Sequence, residues 1–421
     1  MGRKMAPHSS FEYPHLPIPP ALMVSEPNSF AQYTIRKRLP AIIQQVTADN
    51  SLSQSALANL KALATELFDG IIRPIQADGG TDVAAWSIYV EPFEGNSWLD
   101  IPFYFAEAYF YRRILEAIGY FQAHPDHRSD PFAQQKHLGL ETALEAIRVI
   151  TPTPDPTMQG SVPYNWQPGE LIRLLYLALW GNRLDLSLWS AGESSRIRTQ
   201  VEQDEVNILV NHSDLIGNQL SQTQSERFDF IVDNAGFELV SDLILVDFLL
   251  SAQIVETFVL HLKPYPIFVS DAMIADVHHT LAVLAVDQNE AVRSFAARLR
   301  NFITKGRLTL QGNFFWSAPL PFWKMPLGLR QELAQSQLVF VKGDANYRRL
   351  LGDCHWAFTT PLEDIASYIP APLVALRTLK SEVVAGLSLE QIDRLDKEDP
   401  QWLINGQWGL IHFVNSSERD S

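Results

Sequence analysis

The feature that most constrains this chain is a change of texture near residue 225. Beyond it, short runs of β type, "FDFIV", "TFVLHL", "PIFV", "NFFWS", "LVFVK" and "LVALRT", alternate with longer stretches of helical spacing. Parallel strands need a crossover and the crossover is usually a helix, so this alternation predicts an α/β fold with a largely parallel sheet. From Ser29 to about residue 225, apolar residues instead return every three or four positions, as in "SFAQYTIRKRLPAIIQQV" and "IPFYFAEAYFYRRILEAIGYF". Proline-rich loops interrupt this part, "TPTPDPTMQGSVPYNWQPGE" most clearly. The expected organisation is a helical amino-terminal domain over 1–225 and an α/β catalytic domain over 226–421. The polar "NQLSQTQSER" forms the join.

Composition narrows the function classes. A chain of 421 residues with 46% hydrophobic content can bury a large core. Its formal charge of −15 would repel a phosphate backbone, and the longest basic run is Arg36 to Arg38, which argues against a nucleic-acid partner. Cys354 is the only cysteine, which excludes an internal disulfide framework and suits a reducing, cytoplasmic setting. The start lacks the continuous apolar core of a signal peptide. The most apolar windows, Leu171 to Trp180 and Phe237 to Ala252, are too short or are interrupted by Asp242 and Asp247, so no membrane role is expected.

In an open α/β sheet the site lies outside the carboxyl ends of the strands. Asp233 and Asn234 follow "FDFIV", Asp271 follows "PIFVS", Lys342 and Asp344 follow "LVFV", and Arg377 and Lys380 follow "LVAL". Two carboxylates and an amide oxygen are hard donors that suit Mg²⁺ or Mn²⁺, with positions left for water and phosphate oxygens. A nearby Lys or Arg would neutralise phosphoryl charge, so phosphoryl chemistry is the natural use. For any one of these acids the competing reading is a turn former or helix cap; Asp271 or Ser270 could cap the helix that follows. What favours a site is the coincidence across several strand ends.

Other signals are weaker. His278 and His279 are adjacent on a helical pattern and do not form the i, i+4 pair of zinc hydrolases. Cys354 has no evident paired base. "DNAGFEL" carries only Gly236 where a dinucleotide turn needs three glycines. Ala235 stands where a haloacid-dehalogenase phosphatase would carry its second Asp, so a water is a better nucleophile than Asp233.

Taken in order, "SFAQYTIRKRLPAII", "WLDIPFYFAEAYFYRRI", "LWGNRLDLSL", "IVDNAGFELVSDL", "KPYPIFVSD", "FVKGDANYRRLLGD" and "LRTLKSEV" resemble the damage-control phosphatase family, in its acidic residue methyltransferase-like branch. The resemblance implies a helical amino-terminal region packed on a three-layer α/β/α sandwich. It implies a divalent metal, Mn²⁺, Mg²⁺, Co²⁺ or Ni²⁺, on Asp233, Asn234 and Asp271, with Lys342 near the phosphate. It further implies a substrate pocket lined by Glu238, by Asp344, Asn346, Tyr347 and Arg348 of "DANYR", and by Lys380, with Arg377 beside them. Glu107 and Asn182 match family positions facing the sheet's edge, although Glu107 could instead pair with Arg112 or Arg113 on its helix. Ala345 departs from the bulkier aliphatic residue usual before the Asn, which touches packing or sugar fit.

The expected function is metal-dependent hydrolysis of small sugar phosphates, fructose phosphates among them, in metabolite damage control. Asp271 or Glu238 could orient or deprotonate the water. The alternatives are an S-adenosylmethionine-dependent carboxyl methyltransferase, against which the missing glycine-rich turn argues, and a sugar-phosphate binder without turnover.

Overall fold

The computed structural model describes residues 12–122, 128–152, 166–181, 205–222 and 224–415. One seven-stranded sheet is built from β1 (Ile208–Asn211), β2 (Ser225–Ile231), β3 (Val255–Leu262), β4 (Leu308–Gly312), β5 (Leu338–Lys342), β6 (Leu373–Thr378) and β7 (Gly409–Val414). Their order is β1-β7-β6-β5-β2-β3-β4. Among the described pairings only β6 with β7 is antiparallel, so the sheet is largely parallel as expected.

Side chains on the central strands alternate between two cores. Val339 and Val341 of β5, with Leu373 and Ala375 of β6, pack with Ile35, Trp98 and Tyr109 of the amino-terminal helices. Leu338 and Phe340, with Val374 and Leu376, face the other way and pack with Leu175, Leu245 and Phe295. Strands buried on both faces read as nearly continuous apolar runs, which is why these two were legible. Helices cover both faces, giving the α/β/α sandwich.

The helical part is woven into those layers. Gln54–Asp69 and Phe103–Ile118 contribute to one core and Pro168–Trp180 to the other. β1 joins the sheet from before residue 225, so the expected division at 225/226 runs through the sheet. Phe103–Ile118 is buried along nearly its whole length and stops at Gly119, whose φ of 71° is the left-handed cap glycine favours. Its Arg112 is held by Asp78 at 2.7 Å and Asp82 at 2.9 Å, and its Arg113 by Glu66 at 2.6 Å and Glu116 at 2.8 Å.

Two expected strands are absent. "PIFV" is a turn in which Phe268 and Val269 take φ of 50° and 65°. Pro264 and Pro266 lack the N–H groups a ladder needs. "NFFWS" is a 3-10 turn, Phe314–Ser317, capped by the Asn313 side chain accepting from Phe315 N. Three strands had no expectation: β1, β7, and β4, whose partly exposed side chains leave a weak apolar signal. No helix among the described residues is long and apolar enough to cross a membrane.

Candidate active site

The chain leaves β2 towards β3 and β4 on one side, and leaves β5 towards β6 on the other. Their connecting helices lie on opposite faces: Phe237–Ser251 packs in one core, and Tyr347 and Leu350 of Asp344–Leu350 in the other. The gap between β2 and β5 is therefore a switch point, where a crevice opens at the carboxyl ends of an α/β sheet. Asp233 and Asn234 leave β2 there, and Lys342 and Gly343 leave β5. Gly343 has φ of 89°, and a Cβ on it would lie 1.9 Å from Asp233 Oδ2. Only glycine lets the two strand ends come this close.

The loop bearing Asp271 is stitched to the turn after β2. Asn234 and Asp271 form an antiparallel bridge, Ala235 N donates to Ser270 O at 2.7 Å, and Ala272 N donates to Asp233 O at 2.8 Å. Val269, one residue from Ser270, holds a left-handed backbone that is strained for a β-branched side chain. The Asn234 amide is used at both ends: Ser270 Oγ donates to its oxygen at 2.5 Å, and Nδ2 donates to Asp233 Oδ2 at 2.9 Å and to Glu238 Oε2 at 2.8 Å. Gly236, at φ of 71°, turns the chain into the helix that carries Glu238 in its first turn.

Buried lysines answer this group of acids. Lys342 Nζ pairs with Glu238 and lies 3.5 Å from Asp242 Oδ1, one helical turn further on. Lys263 Nζ, just past β3, lies 3.3 Å from Asp271 Oδ2 and donates to Trp316 O and Asn346 Oδ1, each at 3.2 Å. Burial raises the Asp233 carboxyl well above its ordinary range, and the neighbouring Glu238 and Asp271 add to it. Burial pushes Asp271 up to about 6, against the pull of Lys263. Burial would also raise Glu238, yet Lys342 and Lys380 hold it below its usual value. Lys342 stays raised despite burial, because Asp242 and Glu238 stand beside it.

A pocket of about 330 Å³ is lined by Asn234, Glu238, Val269 and Ser270 together with Lys136 and Gly139 of Ala133–Thr142. That is the lower end of the range for small-molecule sites. Among the described residues, no three or more His, Cys, Asp or Glu side chains are spaced to hold a metal ion on their own. The donor set expected from the sequence includes an amide, Asn234, beside Asp233 and Asp271.

A family model described as the damage-control phosphatase ARMT1-like domain matches residues 34–395. The chain belongs to the ARMT1-like damage-control phosphatase family. A protein of Rattus norvegicus named damage-control phosphatase ARMT1 is 32% identical over 444 residues, covering 94% of this chain and 98% of its own. The protein of that name from Homo sapiens is 31% identical over 438 residues, covering 94% and 98%. Among solved structures, a DUF89 family protein from Pyrococcus horikoshii aligns at 13% identity with a TM-score of 0.47, over 84% of this chain and 91% of that one.

In this ARMT1-like chain the sequence-derived candidates fall into two groups. Asp233, Asn234, Glu238, Asp271 and Lys342 converge at the switch point, with Lys380 near enough to act on Glu238. The others form a supporting frame. Asp344 Oδ1 accepts from Arg377 Nε at 2.9 Å and from Ser381 Oγ at 3.0 Å. Asn346 donates to Lys342 O at 2.8 Å and Val232 O at 3.2 Å, and the Arg377 guanidinium lies 4.5 Å over the Tyr347 ring. Arg348 pairs with Asp353 at 2.7 Å and Glu107 at 2.5 Å, so Glu107 does not pair with Arg112 or Arg113. Asn182 lies outside the described residues.

Sequence reading of this family member passed over Lys263, Asp242 and Lys136. Lys263 immediately follows "TFVLHL", so the rule applied to the other strands would have found it. Asp242 stood in plain sight as an acid inside an apolar helix. Lys136, which binds Asp276 and Asp130 at 2.9 Å each, carried no local signal.

Proposed function

We propose that this protein is a metal-dependent phosphomonoesterase that hydrolyses small sugar phosphates as a metabolite-repair enzyme. The observation that carries this reading is the juxtaposition, at one switch point, of Asp233, Glu238 and Asp271 with Lys263 and Lys342. Membership of the phosphatase family supports the reaction class.

The residues fit a hard divalent cation. Glu238 and Asp271 add to the raised proton affinity of Asp233, and Glu238 to that of Asp271, a repulsion that a cation would relieve. The Asn234 Nδ2 group now bridges Asp233 and Glu238; turning that amide over would add its oxygen to those of Asp233 and Asp271. A bound Mg²⁺ or Mn²⁺ would supply Lewis-acid polarisation of the phosphate.

The chain's own groups do the rest. Lys342 donates to a phosphoryl oxygen and offsets the charge that grows as the P–O bond to the sugar breaks. Asp271 or Glu238 orients the attacking water or takes its proton, and a proton is returned to the departing sugar oxygen. Glu238, on the pocket wall, accepts hydrogen bonds from sugar hydroxyls.

The test is phosphate release from a panel of hexose and pentose phosphates, with Mn²⁺, Mg²⁺, Co²⁺ or Ni²⁺ and after chelation. Release that needs the metal and disappears in Asp233→Ala, with an unchanged circular dichroism spectrum, is expected. No release with any metal would sink the proposal, and binding without release would make the protein a sensor.

A further inference from the structure

Asp242 has no part in the chemistry above, yet its position is costly. It is 2% exposed, and neither carboxylate oxygen accepts a hydrogen bond from the described residues. A buried carboxylate in that state needs a nearby cation or takes up a proton, and burial pushes Asp242 up to about 7 against the pull of Lys342. The cation is Lys342, 3.5 Å from Oδ1, and Lys342 already pairs with Glu238 one turn earlier on the same helix. One ammonium is thus shared by two acids, of which Glu238 lines the pocket and Asp242 does not.

A ligand in the pocket lies against Glu238. Each hydrogen bond that a sugar hydroxyl makes to Glu238 competes with the Lys342 contact. A buried ammonium whose ion pair is weakened at that moment recovers less of the desolvation cost of its burial. Asp242 is placed to prevent this, since an ammonium has three donors and can reach the second acid while pointing a third at the phosphoryl group.

We propose that Asp242 is a positioning residue for Lys342: it takes up the ammonium when a ligand engages Glu238, keeping Lys342 charged and aimed at the phosphoryl oxygen. This rests on the phosphatase reading, because the Lys342 target is the transferring phosphoryl group. Asp242 touches no substrate and acts only through Lys342.

The experiment compares wild type, Asp242→Asn and Asp242→Glu in the full chain with Mn²⁺ and a sugar phosphate. For Asp242→Asn, kcat is expected to fall on the order of 10- to 100-fold with KM within about twofold, because the contact matters most in the transition state. Asp242→Glu should restore part of kcat. Asp242→Ser carries the same comparison if the Asn variant does not fold. A second readout needs no turnover. The ¹H–¹⁵N signal of the Lys342 ammonium, assigned by its loss in Lys342→Arg, is followed at fixed pH with Mg²⁺ and a non-hydrolysable hexose phosphonate. Wild type should keep the signal when the phosphonate binds, and Asp242→Asn should lose it to exchange. Unchanged kcat, or a loss of kcat that Asp242→Glu fails to recover, would overturn the proposal. If wild type releases no phosphate, the phosphatase reading falls, and the ammonium signal alone decides whether Asp242 holds Lys342.

Discussion

Glu107 Oε2 accepts a hydrogen bond from Arg348 Nη1 at 2.5 Å, although 241 residues separate them. Arg348 also donates to both oxygens of Asp353, at 2.7 and 2.8 Å, and Asp353 Oδ2 accepts from Tyr104 N at 3.0 Å. The buried helix Phe103–Ile118 is thereby tied to the helix that follows β5. Breaking a buried pair leaves a charge without its partner, and Asp353 offsets part of that. Glu107→Gln should destabilise the fold by about 2 to 4 kcal/mol, read from urea unfolding. A change below about 0.5 kcal/mol would show that the tie is dispensable.

Gly343→Ala should remove function while leaving most of the fold. The added methyl would overlap Asp233 Oδ2, and the positive φ is unfavourable for alanine. Displacing a site group by about 1 Å costs about 100-fold in rate. Phosphate release should fall at least that far, with the helical circular dichroism signal retained.

Asp233→Asn should stabilise the metal-free protein. It removes one charge from a buried group in which Glu238 and Asp271 already repel it. Wild type should gain about 2.7 kcal/mol when a divalent metal is present at a hundred times its Kd. The variant should start with a higher Tm and gain little from the metal. A metal-dependent rise equal to that of wild type would remove Asp233 from the ligand set.

Stability should fall in mild acid through His412. Its ring is buried, neither nitrogen has a hydrogen-bond partner among the described residues, and burial, with His212 and Arg377 nearby, pushes its pKa down to about 3. The unfolded chain holds that proton below about 6.5, so the contribution is complete above that pH and is lost as pH falls towards 3. At pH 5 the loss is about 2 kcal/mol. His412→Leu should lose correspondingly less stability between pH 8 and pH 5 than wild type in urea unfolding.

The buried strands β2, β5 and β6 were legible because both of their faces are apolar, and the residues just beyond β2 and β5 meet in one place. Asp271 does not follow a strand: "PIFV" is a turn, and the loop arrives by pairing with Asn234. Arg377 and Asp344 obeyed the same rule yet chiefly neutralise each other, since position beside a strand does not reveal which way a side chain's charge is spent. Lys136 could not have been found, because nothing local shows that Ala133–Thr142 folds back over the switch point. β1 was missed because it is only four residues long, and both it and β7 depend on a distant partner.

That dependence orders events during synthesis. Among the described strands β1 pairs with the sheet through β7, which lies between it and β6, and Phe413 N donates to His212 Nδ1 across 201 residues. On the ribosome, β2 to β6 can pair while β1 still waits and the outer edge of β6 stands open. An open edge strand invites pairing with other chains. The nascent protein is therefore most vulnerable to misassociation just before its β7 segment emerges, and the arrival of that one strand closes the gap from both sides.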